Sequence, residues 1–278
     1  MRVFVAGATG AMGQQLVPRL AAAGHEVHGM TRRESKQAML YELGAVPVVA
    51  DALDPDQIAE AVGRARPDVI VHQLTAIGAV DMRHFDRDFA LTNRLRTEGT
   101  DHLLSAGQAL GVRRFVAQGV GGYAAYMRTG GPVKSEEDPL DATPAREMRE
   151  TQAAICHLEQ AVLGAQWTEG IVLRYGVFYG PGTSLALGEE QFELVRKRKS
   201  RWLAPAAACG HLSTLPTRQR RQWRRSSAAT AASTTWSMTI PHPSPSGCPR
   251  WPRSLAPRSR CACRGSSGGC SPVRPERC

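Results

Sequence analysis

The chain has 278 residues, 42% of them hydrophobic, which is enough for one large domain or two small ones and excludes disorder throughout. The formal net charge of +10 belongs to the C-terminal part alone, because residues 1–199 carry 22 Lys and Arg against 24 Asp and Glu, whereas residues 200–278 carry 13 Arg and one acid. The overall charge therefore does not indicate a nucleic-acid partner.

Short β-rich runs alternate with helical patterns along residues 1–199. The predicted strands are 2–6, 25–30, 46–49, 68–72, 114–118 and 170–174, and the predicted helices are 13–20, 36–43, 55–62, 85–110, 145–163 and 187–199. Parallel neighbours need crossover connections, and right-handed crossovers place helices on both faces of the sheet. The pattern predicts an α/β fold with a doubly wound parallel sheet.

A glycine-rich turn separates the first strand from the first helix. Gly7, Gly10 and Gly13 have the spacing that lets the backbone approach a pyrophosphate while the helix N-terminus offers its N–H groups. A glycine turn without a ligand is the alternative, but the strand, the helix and the βαβ alternation favour a Rossmann fold that binds a dinucleotide. The predicted contacts in this turn are Gly7, Thr9, Gly10, Ala11, Met12 and Gly13.

The end of the second strand predicts which dinucleotide is bound. It carries Arg32 and no acid, and a basic residue there accommodates the extra phosphate of NADP, so we expect NADP(H) to be preferred over NAD(H). A solvated surface arginine is the alternative. Asp51 and Ala52, after the third strand, are expected beside the adenine, although Asp51 or Asp54 could instead cap a helix.

These residues resemble the extended short-chain dehydrogenases of the NAD-dependent epimerase/dehydratase type. The resemblance covers residues 1–199 and rests on the glycine turn, on Asp51-Ala52-Leu53-Asp54, on residues 69–75, on Asn93 and on residues 173–182. It implies a cofactor on the N-terminal sheet, with Leu74, Thr75 and Asn93 near it. It also implies a small-molecule substrate, a sugar nucleotide or a carbonyl compound, with Arg174 and Tyr179 on the substrate side.

The catalytic motif of that family is absent. Its Tyr-x-x-x-Lys places a phenol and an ammonium one helical turn apart, and no such sequence occurs here. Thr151 and Ile155 stand at the tyrosine and lysine places, and Gly119 stands where the fifth strand usually ends in serine. Weak candidates for proton transfer are Tyr123, Tyr126 and Thr151.

Other features narrow the class of protein. The histidines form no His-Glu-x-x-His motif, so no metal site is expected. No apolar run reaches the roughly eighteen residues of a membrane span. Residues 1–199 contain one cysteine, Cys156, and we expect a cytoplasmic protein, a homodimer being an open alternative to a monomer.

Residues 200–278 differ in kind from the rest. They hold six of the seven cysteines and ten of the eighteen prolines, with no Lys or Asp. This is the composition of a GC-rich gene read out of frame, and in the frame one base earlier residues 200–217 can read IPVVGAGGGVWSFIHVAD, which resembles the continuation of the same family. We therefore expect a Rossmann domain over residues 1–199 and an unstructured, out-of-frame tail that replaces the substrate subdomain.

The sequence thus favours an NAD(P)-dependent epimerase, dehydratase or reductase with impaired activity. The alternative from another class is an NADP(H)-binding sensor without turnover, which the missing Tyr-x-x-x-Lys favours.

Overall fold

The computed structural model describes residues 1–78, 80–121, 139–179, 182–183, 186–189, 192–193, 196–197 and 212–214. Outside these residues lie Tyr123, Tyr126, six of the thirteen residues of the predicted helix 187–199 and most of the tail. All the described residues belong to one compact unit, Met1–Ile240.

The described residues form a parallel sheet flanked by helices, as predicted. Its strands are β1 (Arg2–Ala6), β2 (Glu26–Thr31), β3 (Val46–Val49), β4 (Val69–His72), β5 (Arg114–Val120) and β6 (Glu169–Tyr175). The helices are α1 (Gly13–Ala22), α2 (Gln37–Glu42), α3 (Pro55–Ala65), α4 (Phe85–Arg96), α5 (Glu98–Ala109) and α6 (Arg149–Gly164). Two further short strands, β7 (Val177–Tyr179) and β8 (Leu212–Thr214), pair in parallel.

The strand order is β3-β2-β1-β4-β5-β6, and every pairing in this sheet is parallel. The chain therefore runs outward from β1 to β3, returns across the sheet, and runs outward again from β4 to β6. The reversal places a crevice at the carboxyl ends of β1 and β4, which is where ligands bind in open α/β sheets.

The core has two layers because successive residues of a strand point to opposite faces. Phe4, Ile70 and Phe115 pack on one face with residues of α3, α5 and α6, and Val5 and Val71 pack on the other with residues of α1. Helices cover both faces, which accounts for the fully buried, β-branched sequence of β4.

The predicted single helix 85–110 is broken in the structure. Thr97 has backbone angles of φ −94° and ψ −84° between α4 and α5, and its hydroxyl donates to the carbonyls of Asn93 and Arg94. A threonine hydroxyl that bonds back to the preceding turn bends a helix. The hydrophobic period continues across the break, so the sequence did not reveal it.

No helix in the described ranges has the length and apolar composition that a bilayer span requires. Within the same ranges, no group of three or more His, Cys, Asp and Glu side chains is arranged to hold a metal ion. The strand β8 lies inside the segment 200–278, where the sequence predicts no packed structure.

Candidate functional site

The glycine turn lies against the end of β4, across the crevice. Gly7 has φ +88°, and a Cβ added there would lie 2.6 Å from the carbonyl oxygen of Gln73. A Cβ on Gly13 would lie 2.4 Å from the carbonyl oxygens of Gly7 and Ala8. Both glycines are therefore required by the protein's own backbone.

Gly10 differs from the other two glycines. It is exposed, and its added Cβ would meet only the carbonyl oxygen of Gly7, at 3.3 Å. The fold alone hardly requires glycine at this position. A ligand that passes close to the turn would explain it.

The first turn of α1 is suited to an anion. The helix begins at Gly13 after Met12, which provides no side-chain cap, and the first turn contains no acidic residue. The side chain of Gln14 donates to the carbonyl oxygen of Thr9 at 2.9 Å and holds the turn in place. The positive end of the helix dipole is thus directed towards the crevice, as a pyrophosphate site requires.

The residues predicted to contact the adenosine end lie beyond β2 and β3. Arg32 is exposed directly after β2. Asp51 accepts a hydrogen bond from the N–H of Leu53, and Ala52 is buried with its carbonyl oxygen bonded to His102. Asp54 is the helix cap of α3, since its carboxylate accepts from the N–H groups of Asp56 and Gln57. This bonding pulls the pKa of the exposed Asp54 carboxyl below its usual value.

His72 ends β4 and is buried beneath the crevice. The hydroxyl of Thr100 donates to the carbonyl of Arg96 and accepts from Nε2 of His72, while Nδ1 of His72 accepts from the N–H of Leu74. Burial lowers the pKa of His72 to about 4. The imidazole is therefore neutral at pH 7 and fixes the start of the segment that contains Leu74 and the exposed Thr75.

Thr151 and Asn93 are brought together, although 58 residues separate them in the chain. Nδ2 of Asn93 donates to the Thr151 hydroxyl at 3.0 Å, and that hydroxyl donates to Oδ1 of Asp86 at 2.7 Å. Asp86 also accepts from the N–H groups of Glu150 and Thr151, so it caps α6 from α4. The proton of Thr151 is thus held by a carboxylate.

Arg174 forms a buried ion pair at the carboxyl end of β6. Its Nε and Nη2 donate to the two carboxylate oxygens of Glu159 at 2.8 and 2.6 Å. A Cβ on Gly119 would lie 2.6 Å from Val172 and 3.2 Å from the Glu159 carboxylate. The ion pair therefore fills the place beside Gly119 where the resembled family has a serine side chain.

Several buried polar atoms in the crevice have no hydrogen-bond partner. They are Nε2 and Oε1 of Gln73, Oδ1 of Asn93 and Nη1 of Arg96. All belong to the end of β4 or to the facing helix α4. Buried polar groups are normally paired, so these atoms are suited to form hydrogen bonds with a bound dinucleotide or substrate.

Sequence reasoning did not identify His72, Gln73, Asp86, Arg96 and Glu159 as individual site residues. His72, Asp86 and Glu159 owe their roles to hydrogen-bond partners distant in the chain, which no local spacing indicates. Gln73 and Arg96 are distinguished by buried atoms without a partner, which the sequence does not reveal either. Tyr179 ends β7, and nothing of its side chain lies within the described part of the structure.

Comparison with known proteins agrees with this architecture. The model of the NAD dependent epimerase/dehydratase family matches residues 3–224. A 3-diazoavenalumate denitrifying reductase of a Streptomyces species is 47% identical over 193 residues, which are 67% of this chain and 59% of that protein. This chain thus spans less than two thirds of that relative.

Two solved structures share the fold at low sequence identity. The UDP-glucose 4-epimerase of Thermotoga maritima, solved with UDP-glucose, aligns with a TM-score of 0.65 at 16% identity, over 82% of this chain and 74% of that one. The enzyme WbmG of Bordetella bronchiseptica, solved with NAD, aligns with a TM-score of 0.53 at 17% identity, over 72% of this chain and 59% of that one.

Proposed function

Because the chain belongs to the NAD dependent epimerase/dehydratase family, we propose that it is an NAD(P)H-dependent reductase of a small electrophilic compound, such as a carbonyl compound. A reduced nicotinamide cofactor held in the crevice would supply the hydride that forms the new bond to the acceptor, and would itself become oxidised. Any proton that the reduced acceptor needs comes from water. The 47% identical relative is named a reductase, which supports this choice.

The hydrogen bonding of Thr151 is the observation that carries the proposal. Epimerisation and dehydration of a sugar require a group that removes a proton from the substrate. Thr151 occupies the place of the family's tyrosine, and its hydroxyl donates to Asp86, so it has no proton for a substrate and is a poor base. Reduction of an electrophile by hydride does not require a base at residue 151, because no proton is removed from the substrate.

The residues of the crevice bind the dinucleotide in one orientation. The turn Gly7–Gly13 and the N-terminus of α1 bind the pyrophosphate. Arg32, Asp51 and Ala52 bind the adenosine end, and Leu74, Thr75 and Asn93 bind the ribose of the nicotinamide. Arg174 and Tyr179 lie on the substrate side.

We expect NADP(H) to be preferred over NAD(H). The support is the exposed Arg32 directly after β2, where a guanidinium can pair with the extra phosphate. The strand's last residues and the two that follow it include no carboxylate that could accept hydrogen bonds from the ribose hydroxyls of NAD. A cytoplasmic location and a homodimer remain predictions, the second open to sedimentation of the purified protein.

The test is the absorbance of NADPH mixed with the protein and a panel of aldehydes, quinones, diazo compounds and UDP-sugars. We expect NADPH to be consumed with at least one electrophile and with none of the UDP-sugars. Gly10→Val is the control, since it should remove consumption by blocking the cofactor. Because epimerisation leaves the cofactor unchanged overall, the UDP-sugars are also incubated with NAD⁺ and analysed by chromatography. Conversion of a UDP-sugar would favour an epimerase, and saturable cofactor binding with neither NADPH consumption nor sugar conversion would favour the sensor.

A further inference from the structure

Arg96 is a buried cation at the end of α4. Only 4% of the residue is exposed, and its Nη1 has no hydrogen-bond partner. The guanidinium carbon lies 6.0 Å from the centre of the Phe89 ring. Burial lowers the pKa of Arg96 to about 10, so the side chain is still charged at pH 7.

Within the part of the chain that the structure describes, no carboxylate pairs with Arg96, and burial is the cause that lowers its pKa. Its neighbour His72 is neutral, because burial, and after it the nearby arginine charge, lowers the pKa of the imidazole. Arg94, two residues earlier, shows the contrasting case: it is exposed and forms an ion pair with Glu98. A buried guanidinium is costly without a counter-charge, and such groups are normally paired or bound to an anion.

The position of Arg96 indicates which anion fits. The cofactor's phosphates are expected at α1 and Arg32, on the β1 and β2 side of the crevice. Arg96 lies on the other side, where α4 covers the end of β4, and Asn93, one helical turn earlier, belongs to the proposed nicotinamide site. One guanidinium beside a neutral imidazole matches one negative charge, as in a carboxylate, better than the two charges of a phosphate monoester.

We propose that Arg96 binds a carboxylate group of the substrate and so selects organic acids. This inference rests on the proposed reductase function and names its substrate class. The carboxylate would supply the counter-charge that the buried guanidinium lacks and would hold the acceptor at the nicotinamide end of the crevice.

Thermal unfolding of the full chain with saturating NADP⁺ tests the proposal, with sodium benzoate as the probe and benzamide as its uncharged analogue. At ten times its dissociation constant, benzoate should raise the melting temperature by about 3 to 6 °C, and benzamide should not. Arg96→Met should abolish the benzoate effect and should also raise the melting temperature without benzoate, because an unpaired buried charge has been removed. Arg94→Met, on the same helix, should keep the benzoate effect.

Four results would overturn the proposal. With a parent protein that binds NADP⁺, they are an equal effect of benzoate and benzamide, or no effect of either. With Arg96→Met, they are a benzoate effect that persists, or a fall in the melting temperature, which would mean that the arginine is paired within the chain. Failure of the cofactor to bind, measured by the fluorescence of NADPH titrated with the protein and by its displacement with NADP⁺, would instead refute the proposed function.

Discussion

At residue 10 we expect the bound cofactor, and not the fold, to require glycine. Replacement by valine should leave the free energy of unfolding within about 1 kcal/mol of the parent, because the added Cβ meets only one carbonyl oxygen, at 3.3 Å. Affinity for NADPH should fall by about two orders of magnitude or more, since the branched side chain would occupy the path of the pyrophosphate. Urea unfolding and a fluorescence titration measure the two effects.

Gly13→Ala and Gly63→Ala are the matched comparisons. The first should destabilise the fold, because its Cβ would lie 2.4 Å from two carbonyl oxygens. The second lies in α3 with open space around it and should stabilise slightly. An unchanged NADPH affinity in Gly10→Val would remove the glycine turn from the cofactor site.

Arg32→Ala should narrow the preference for NADPH over NADH. Loss of a guanidinium–phosphate contact costs on the order of 1 to 3 kcal/mol, and NADH lacks that phosphate. Arg64→Ala, on the exposed surface of α3 where the arginine pairs with Glu60, should change neither affinity. Equal affinities of the parent protein for the two cofactors would contradict the assignment of Arg32.

His72 should make the fold sensitive to mild acid. The pKa of its imidazole is about 4 in the folded state and 6.5 in the unfolded state. Between these pH values the imidazole is therefore protonated in the unfolded chain and neutral in the folded chain. The stability attributable to this group is complete above pH 6.5 and falls by about 3 kcal/mol as the pH drops to 4. Chemical unfolding of the parent and of His72→Asn between these pH values should show a shallower slope in the variant. Equal slopes would refute the assignment.

At the scale of elements, Asp86 joins α4 to α6. Its carboxylate accepts three hydrogen bonds from the first turn of α6, two from backbone N–H groups and one from a hydroxyl. Asp86→Ala should therefore lower the free energy of unfolding by about 2 kcal/mol. Glu60→Ala removes an exposed ion pair and should cost at most about 0.5 kcal/mol. Equal losses in the two variants, measured by urea unfolding, would argue against the cap.

The elements were largely predictable from local patterns. Alternating hydrophobic runs predicted all six strands of the main sheet, and the spacing of the glycines predicted the glycine turn. The break at Thr97 was not predictable, because a hydroxyl that bonds back one turn leaves the hydrophobic period unchanged. The Glu159–Arg174 and Asp86–Thr151 contacts were not predictable either, since each joins two elements distant in sequence.

At the scale of the whole molecule, the open proposal concerns the reading frame after Lys199. With the residues as given, the family match continues to residue 224 and a strand is found at Leu212–Thr214, inside the segment expected to be unstructured. The support for the other frame comes from composition and from the alternative reading of residues 200–217, in which this strand becomes Phe-Ile-His. We predict that the DNA around codons 199 and 200 encodes, in that frame, a longer chain that is more soluble. A stop before codon 250 in that frame would contradict this prediction.

Limited proteolysis gives an independent result on the same proposal. If the segment 200–278 is out of frame, its few aliphatic side chains cannot offset the entropy of ordering it, and protease should trim the chain to a core that ends near Lys199. Mass spectrometry identifies the end of the core. Resistance of the segment as a compact unit would show that it is a genuine module.

We expect the crevice between β1 and β4 to bind a dinucleotide with its adenosine end towards Arg32 and its nicotinamide towards Asn93. A crystal structure of the complex with NADP⁺ would show the orientation. The pyrophosphate should lie at the turn Gly7–Gly13 and the N-terminus of α1, the extra phosphate at Arg32, and the nicotinamide ribose beside Leu74 and Asn93. A cofactor bound in the reverse orientation, or away from this turn, would refute this binding mode.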